Sequence, residues 1–235
     1  MYMENALENF EISISSATCL KSNNTIFSNI NYILTSGELL LVMGPNGCGK
    51  TTFIKSICGI QKLEEGAIKL NNVDISHGDS QHLGNFLYIG HKNSLNDSLT
   101  VFENLEYLCA LDRSIQNDIK SEIKRTLSFF GIENYKNYLV SKLSEGNKKK
   151  TSLTRLLLTN KKVWLLDEPL SYLDDNGAKQ VLKLLNNHLK VGGIIIASSH
   201  IDFSASIDNS KVFYMDNSAW SKYYFIKNSK IIFVI

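Results

Sequence analysis

Proline is scarce. In 235 residues it occurs only as Pro45 and Pro169, and both fall inside candidate motifs rather than in a linker. With no Pro-rich stretch, no internal repeat and no low-complexity segment, the chain is expected to be one domain, with at most an inserted subdomain. Cysteine is equally sparse: Cys19, Cys48, Cys58 and Cys109 have no C-x-x-C spacing and no His partners at zinc-finger distances. A structural zinc site and a disulfide framework are thereby excluded, leaving four reduced thiols. The apolar runs, such as Val163 to Leu166 and Gly192 to Ala197, fall far short of the roughly 20 residues that span a bilayer, so no segment is expected to cross a membrane. Met1 to Phe10 carries Glu4 and Glu8 and lacks a basic start followed by an apolar stretch. A secretory signal is not expected, which keeps the chain in the cytoplasm. Charge of one sign is lacking as well: 25 Lys and Arg against 23 Asp and Glu leave a formal net charge of +2. No broad basic field draws the chain to a phosphate backbone, so nucleic acid is not an expected partner.

What is present is enough apolar sequence, 43% hydrophobic against 20% charged, to bury a sizeable core. Glu38 to Met43 is an apolar run of strand length ending at Gly44, and Thr51 to Ile60 then repeats apolar residues at helical spacing. Further buried strands are predicted at Val163 to Leu166 and Ile194 to Ala197, each after a helix-like stretch, which argues for a largely parallel sheet covered by helices. Between them, Val101 to Leu111 and Ile115 to Phe130 space apolar residues three and four apart, with Gly131 as a C-terminal stop. Residues near 91 to 155 therefore read as a helical subdomain inserted into an α/β core formed by 1–90 and 156–235. Lys148-Lys149-Lys150, the densest charge run, reads as one exposed face at a helix start.

Gly44-Pro45-Asn46-Gly47-Cys48-Gly49-Lys50-Thr51-Thr52 satisfies G-x-x-x-x-G-K-[ST] and lies between the predicted strand and helix, the context that a phosphate-binding loop requires. Its four constrained positions would match by chance in a chain of this length on the order of 1% of the time at average residue frequencies. Glycines there let backbone N–H groups converge on phosphate oxygens, and the following helix presents the positive end of its dipole. Lys50 would neutralise the β- and γ-phosphates of ATP, the Thr51 hydroxyl would complete the coordination of Mg²⁺, and Thr52 would cap the helix or contact the α-phosphate.

Val163-Trp164-Leu165-Leu166-Asp167-Glu168-Pro169 is an apolar strand ending in two carboxylates, at the strand edge where α/β proteins gather ligands. Asp167 would hold the metal, directly or through water. Glu168 would polarise the attacking water, since phosphoryl transfer needs positioning and charge neutralisation more than covalent chemistry.

Leu143-Ser144-Glu145-Gly146-Asn147 resembles the LSGGQ signature of the ABC (ATP-binding cassette) ATPases, with Leu143, Ser144 and Gly146 fitting and Glu145 and Asn147 departing from it. Ser171-Tyr172-Leu173-Asp174 resembles the D-loop of that family, and His200, after the last predicted core strand, resembles its switch histidine. The motifs stand in the family's order across roughly residues 26 to 202. The resemblance implies a P-loop NTPase core with a mostly parallel sheet, an N-terminal antiparallel β region and the inserted helical subdomain, all within one nucleotide-binding domain over 1–235. It further implies a head-to-tail homodimer in which the loop of one copy and Ser144 and Gly146 of the other enclose each ATP. Under it His200 contacts the γ-phosphate, and Asp174 lies at the interface between the copies. Most members stack adenine on an aromatic residue, and none stands at the corresponding place near Cys19 and Leu20.

His91 occupies the position where the family usually has a glutamine, and is expected as a further contact to the metal. The stretch Leu87-Tyr88-Ile89-Gly90-His91, with Asp167-Glu168-Pro169-Leu170 and Gly192-Gly193, is similar to one subgroup, the CcmA-type ATPases of haem export and cytochrome c maturation. That similarity implies an ATPase held peripherally on the cytoplasmic face of the inner membrane by a CcmB-like integral membrane subunit, the alternatives being the ATPase of another small exporter or an ATP-gated binding module with little turnover. The chain has no C-x-x-C-H and no suitable Met/His pair, so any haem contact would belong to the partner. The tail from Lys211 to Ile235, with Trp220, Tyr223, Tyr224 and Phe225, is expected to form terminal strands packed on the core.

Overall fold

Leu39-Leu40-Leu41-Val42 offers no polar face, so the segment needs cover on both sides. A computed structural model, which describes residues 10–76, 84–112, 118–216, 223–227 and 230–234, the last two by backbone alone, places it as the buried strand β3 (Leu39–Met43). Two other runs of the same character form β7 (Val163–Asp167) and β8 (Ile194–Ser199), every residue of which is buried. β8 pairs in parallel with both, so the three stand side by side in the order β3-β8-β7. The full sheet has the order β11-β10-β9-β3-β8-β7-β6, with β6 at Phe86–Ile89, β9 at Ser210–Tyr214, β10 at Tyr223–Lys227 and β11 at Lys230–Val234. β9 runs parallel to β3, and the β9-β10-β11 meander is antiparallel. The tail therefore does end in strands, with Val212, Phe213 and Met215 in the core, whereas Trp220 lies outside the described residues.

The N-terminal part forms a separate antiparallel sheet, as the resemblance implies. β1 (Glu11–Lys21) pairs with β2 (Asn24–Thr35) and with β4 (Glu65–Leu70), and β5 (Val73–Asp74) lies at one edge. Helix α1 (Lys50–Ile57) joins the two sheets through Phe53. Its ring meets Phe27 of β2 edge-on at 5.5 Å and Phe213 of β9 at 5.4 Å. The helix is shorter than the expected Thr51 to Ile60, because Gly59 takes φ +69 and turns the chain out, leaving Ile60 60% exposed.

By contact the chain divides into two compact units, Met1–Tyr88 with Lys162–Glu168 and Leu185–Ile235, and Ile89–Lys161 with Pro169–Leu184. The second unit holds α2 (Val101–Asp112), α3 (Ile119–Phe129), α4 (Glu145–Leu153) and the start of α5 (Asp175–Lys190). A reciprocal capping box opens α2: Thr100 N–H donates to Glu103 at 2.8 Å, and Glu103 N–H donates to the Thr100 hydroxyl at 3.2 Å. α3 stops where expected, with Gly131 at φ +66, while its expected start, 115–117, lies outside the described residues. The lysine run is not one exposed face. Lys149 is 1% exposed, Lys148 pairs with Glu145 at 3.0 Å and Lys150 with Asp174 at 3.3 Å, because successive helical positions turn by about 100° and cannot share one side. Among the described residues no helix is long and apolar enough to cross a membrane.

Candidate functional site

The parallel strands β3, β8 and β7 end at the same edge of the sheet, and their C-terminal ends deliver the candidate residues together. β3 leads into the loop Gly44 to Gly49. Gly44, at φ +143, packs so closely on the carbonyl of Met215 and the sulfur of Cys48 that a Cβ there would collide with both. Gly49, at φ +104, caps α1 in a left-handed conformation and rests against Ile26. The loop is thus shaped by what glycine alone permits at these two points. Lys50 is buried, and its Nζ donates to the carbonyl oxygens of Gly44 at 2.7 Å and Pro45 at 3.1 Å, which holds the ammonium over the loop. Burial pushes the Cys48 thiol above its ordinary value against the pull of the Lys50 charge, so it stays protonated, and all four cysteines are free and buried.

β7 ends in Asp167, 2% exposed, with Glu168 just beyond it. Asp167 accepts the Thr51 hydroxyl on Oδ2 at 2.8 Å and the Ser198 hydroxyl on Oδ1 at 2.5 Å. Glu168 takes φ +51, rare for a residue with a side chain, and its N–H donates to the hydroxyl of Ser198 at 3.1 Å and to the carbonyl of the same residue at 3.2 Å. Beyond β8, Nε2 of His200 lies 3.1 Å from Oε1 of Glu168, and the His200 N–H donates to Oε2 at 3.3 Å. Burial, with the Asp167 charge adding, pushes the phenol of nearby Tyr88 up to about 12. A hydroxyl and a carboxylate oxygen 2.8 Å apart suit a hard cation that takes one or two protein oxygens and fills its shell with phosphate and water. The expected residues of the first unit, Gly44 through Thr52 with Asp167, Glu168 and His200, are therefore one constellation.

The remaining expected residues lie in the second unit. Ser144 caps α4, its hydroxyl accepting the Asn147 N–H at 3.2 Å. Gly146 abuts the Tyr172 carbonyl so closely that a Cβ would stand 2.8 Å from it. Tyr172 itself takes φ +63, and Asp174 accepts the Gly177 N–H at 2.8 Å at the start of α5. His91 is exposed, just after β6. Sequence reasoning missed Ser198, Tyr88 and the Glu145–Lys148 pair. Ser198 is opposite Asp167 in the β7–β8 register, a relation that no spacing along the chain reveals.

A family model described as ABC transporter matches residues 27–171. The cytochrome c biogenesis ATP-binding export protein CcmA of Albidiferax ferrireducens is 34% identical over 189 residues, covering 80% of this chain and 89% of that protein. The protein of the same name from Reclinomonas americana is 37% identical over 193 residues, covering 82% and 86%. Among solved structures, a dimeric post-hydrolysis state of the ATP-binding cassette MJ0796 bound to ADP and Pi superposes with a TM-score of 0.75 at 21% identity, covering 86% of this chain and 93% of that one. At that identity the likeness speaks for the fold.

Proposed function

Since the chain belongs to the ABC transporter family, as its ATP-binding and ATP-hydrolysing subunit, we propose that it energises haem export or c-type cytochrome biogenesis through a CcmB-like membrane subunit. The observation that carries this reading is identity of 34% and 37% to CcmA proteins over four-fifths of the chain, beside Lys50, Thr51, Asp167, Glu168 and His200 gathered at the strand ends. Two copies would enclose each ATP between the Gly44–Thr52 loop of one and Ser144 and Gly146 of the other. Lys50 and the loop N–H groups would bind the phosphates, and Thr51 and Asp167 would hold Mg²⁺. When bound, that ion supplies neutralisation of developing phosphate charge. Glu168 would orient the attacking water through a carboxylate held by His200, and His200 would reach the γ-phosphate. The chain would sit on the cytoplasmic face of the inner membrane through its partner.

The test has two arms. Steady-state hydrolysis is measured for the wild type, Glu168→Gln and Lys50→Ala, with size-exclusion runs in ATP and Mg²⁺. Turnover should fall at least about 100-fold in both variants, and Glu168→Gln should elute as an ATP-trapped dimer. In a strain lacking its CcmA-type ATPase, this chain with its own membrane partner should restore haem-stained c-type cytochromes. Intact hydrolysis without that rescue would leave the motor standing and remove the haem assignment.

A further inference from the structure

Four apolar residues, Ile194-Ile195-Ile196-Ala197, precede two hydroxyls in β8, and Ser198 is wholly buried. An unpaired hydroxyl in such a place would be costly, and this one is paired twice. It donates its only proton to Oδ1 of Asp167 at 2.5 Å and accepts the N–H of Glu168 at 3.1 Å, which is compatible with one donor and two lone pairs. Oδ2 of Asp167 is held from α1 by Thr51, so the two oxygens of that carboxylate are fixed from opposite sides. The N–H of Glu168, whose left-handed backbone needs outside support, has both its acceptors on Ser198. The neighbouring Ser199 hydroxyl accepts the Ile201 N–H instead, at 3.0 Å, and so does not share the task.

We propose that Ser198 is the positioning residue of the hydrolytic site, setting the Asp167 carboxylate and the Glu168 backbone together through one hydroxyl. The proposal rests on the roles given above to Asp167 and Glu168. Phosphoryl transfer depends on placement, and small misplacements of a reacting group are magnified in rate, so the effect belongs in kcat. Ser198 touches neither phosphate nor water in this scheme and acts through the two acids.

The full chain is prepared as wild type, Ser198→Ala and Ser198→Thr. ATP hydrolysis, binding of the fluorescent analogue TNP-ATP with and without Mg²⁺, and thermal unfolding are measured for each. Ser198→Ala should lower kcat about tenfold or more and move KM less than about threefold. It should keep Mg²⁺-free binding of the analogue and lose several-fold of the tightening that Mg²⁺ brings, while the donor withdrawn from buried Asp167 lowers the melting temperature by a few degrees. A folded Ser198→Thr, which keeps the hydroxyl, should recover most of the loss. Wild-type kcat and Mg²⁺ response in Ser198→Ala would overturn the proposal. So would a loss shared equally by Mg²⁺-free binding and melting temperature, which marks a merely structural residue, or a folded Ser198→Thr as impaired as Ala. If Ser198→Thr does not fold, Ser198→Ala decides alone. Asp167→Asn and Glu168→Gln run beside them: turnover retained in those two would instead remove the roles of the acids themselves.

Discussion

His188, in the last turn of α5, lies flat on the indole of Trp164 in β7, with ring centroids 3.6 Å apart and an interplanar angle of 7°. Its Nε2 stands 3.0 Å from the Lys162 carbonyl, so a neutral ring donates there, and Gly193 leaves the space that the imidazole fills. Burial holds its pKa down to about 4, with the Lys162 charge adding, against an ordinary value of 6.5. Between those values the unfolded chain binds a proton that the native one refuses. The stabilisation is therefore complete above pH 6.5 and is lost as pH falls toward 4. The interval corresponds to about 3 kcal/mol, with a slope approaching about 1.4 kcal/mol per pH unit. Urea unfolding of the wild type and His188→Gln, in steps from pH 7 to 4.5, checks this. The variant should start less stable, having lost the stack, and the gap should close as pH falls. Carboxylates titrate in both proteins and cancel in the difference. Parallel curves would refute the inference that His188 is held neutral by burial.

Other outcomes follow from single contacts. Gly146→Ala puts a Cβ against the Tyr172 carbonyl, so α4 or the 171–174 turn must shift. The expected cost is about 1–3 kcal/mol in urea unfolding, with weaker ATP-dependent dimer on size exclusion. Asp174→Ala removes the acceptor for the Gly177 N–H and the partner of Lys150, and should lower the melting temperature by a few degrees. Asp174→Asn keeps the cap and should recover most of that fall, whereas equal losses in the two variants would point to the charge rather than the cap.

The parts of the fold that were legible are those in which one stretch of sequence carries its own constraint. Leu39 to Val42, Val163 to Leu166 and Ile194 to Ala197 have no polar face and can only be buried strands, and the glycines of 44–49 announce a turn that other residues would block. Lys148 to Lys150 misled because like charges side by side in sequence look like one surface. The helix sends one ammonium to Glu145, one to Asp174 and one into the interior. The early end of α1 turned on the left-handed Gly59, which periodicity overruled. Tyr88 and Ser198 were illegible for a different reason: each is defined by the neighbour that the sheet supplies.

That reason bears on how the proposed hydrolytic site is specified. Thr51, Asp167 and Ser198 come from three distant stretches, and they meet because β8 is inserted between β3 and β7. The middle strand can then reach the acids at the end of β7 while its own end carries His200 to Glu168. Side chains alternate along a strand, so slipping β8 by one residue against β7 would turn the Ser198 hydroxyl to the opposite face of the sheet and set Ala197 or Ser199 opposite Asp167. It would also carry His200 about 3.3 Å along the strand, beyond its present 3.1 Å approach to Glu168. The unbroken apolar run before Ser198, buried on both faces, thus does more than fill the core. By fixing the register of β8 it fixes where a proton donor and a histidine stand relative to two carboxylates, and through them the placement that the proposed hydrolysis requires.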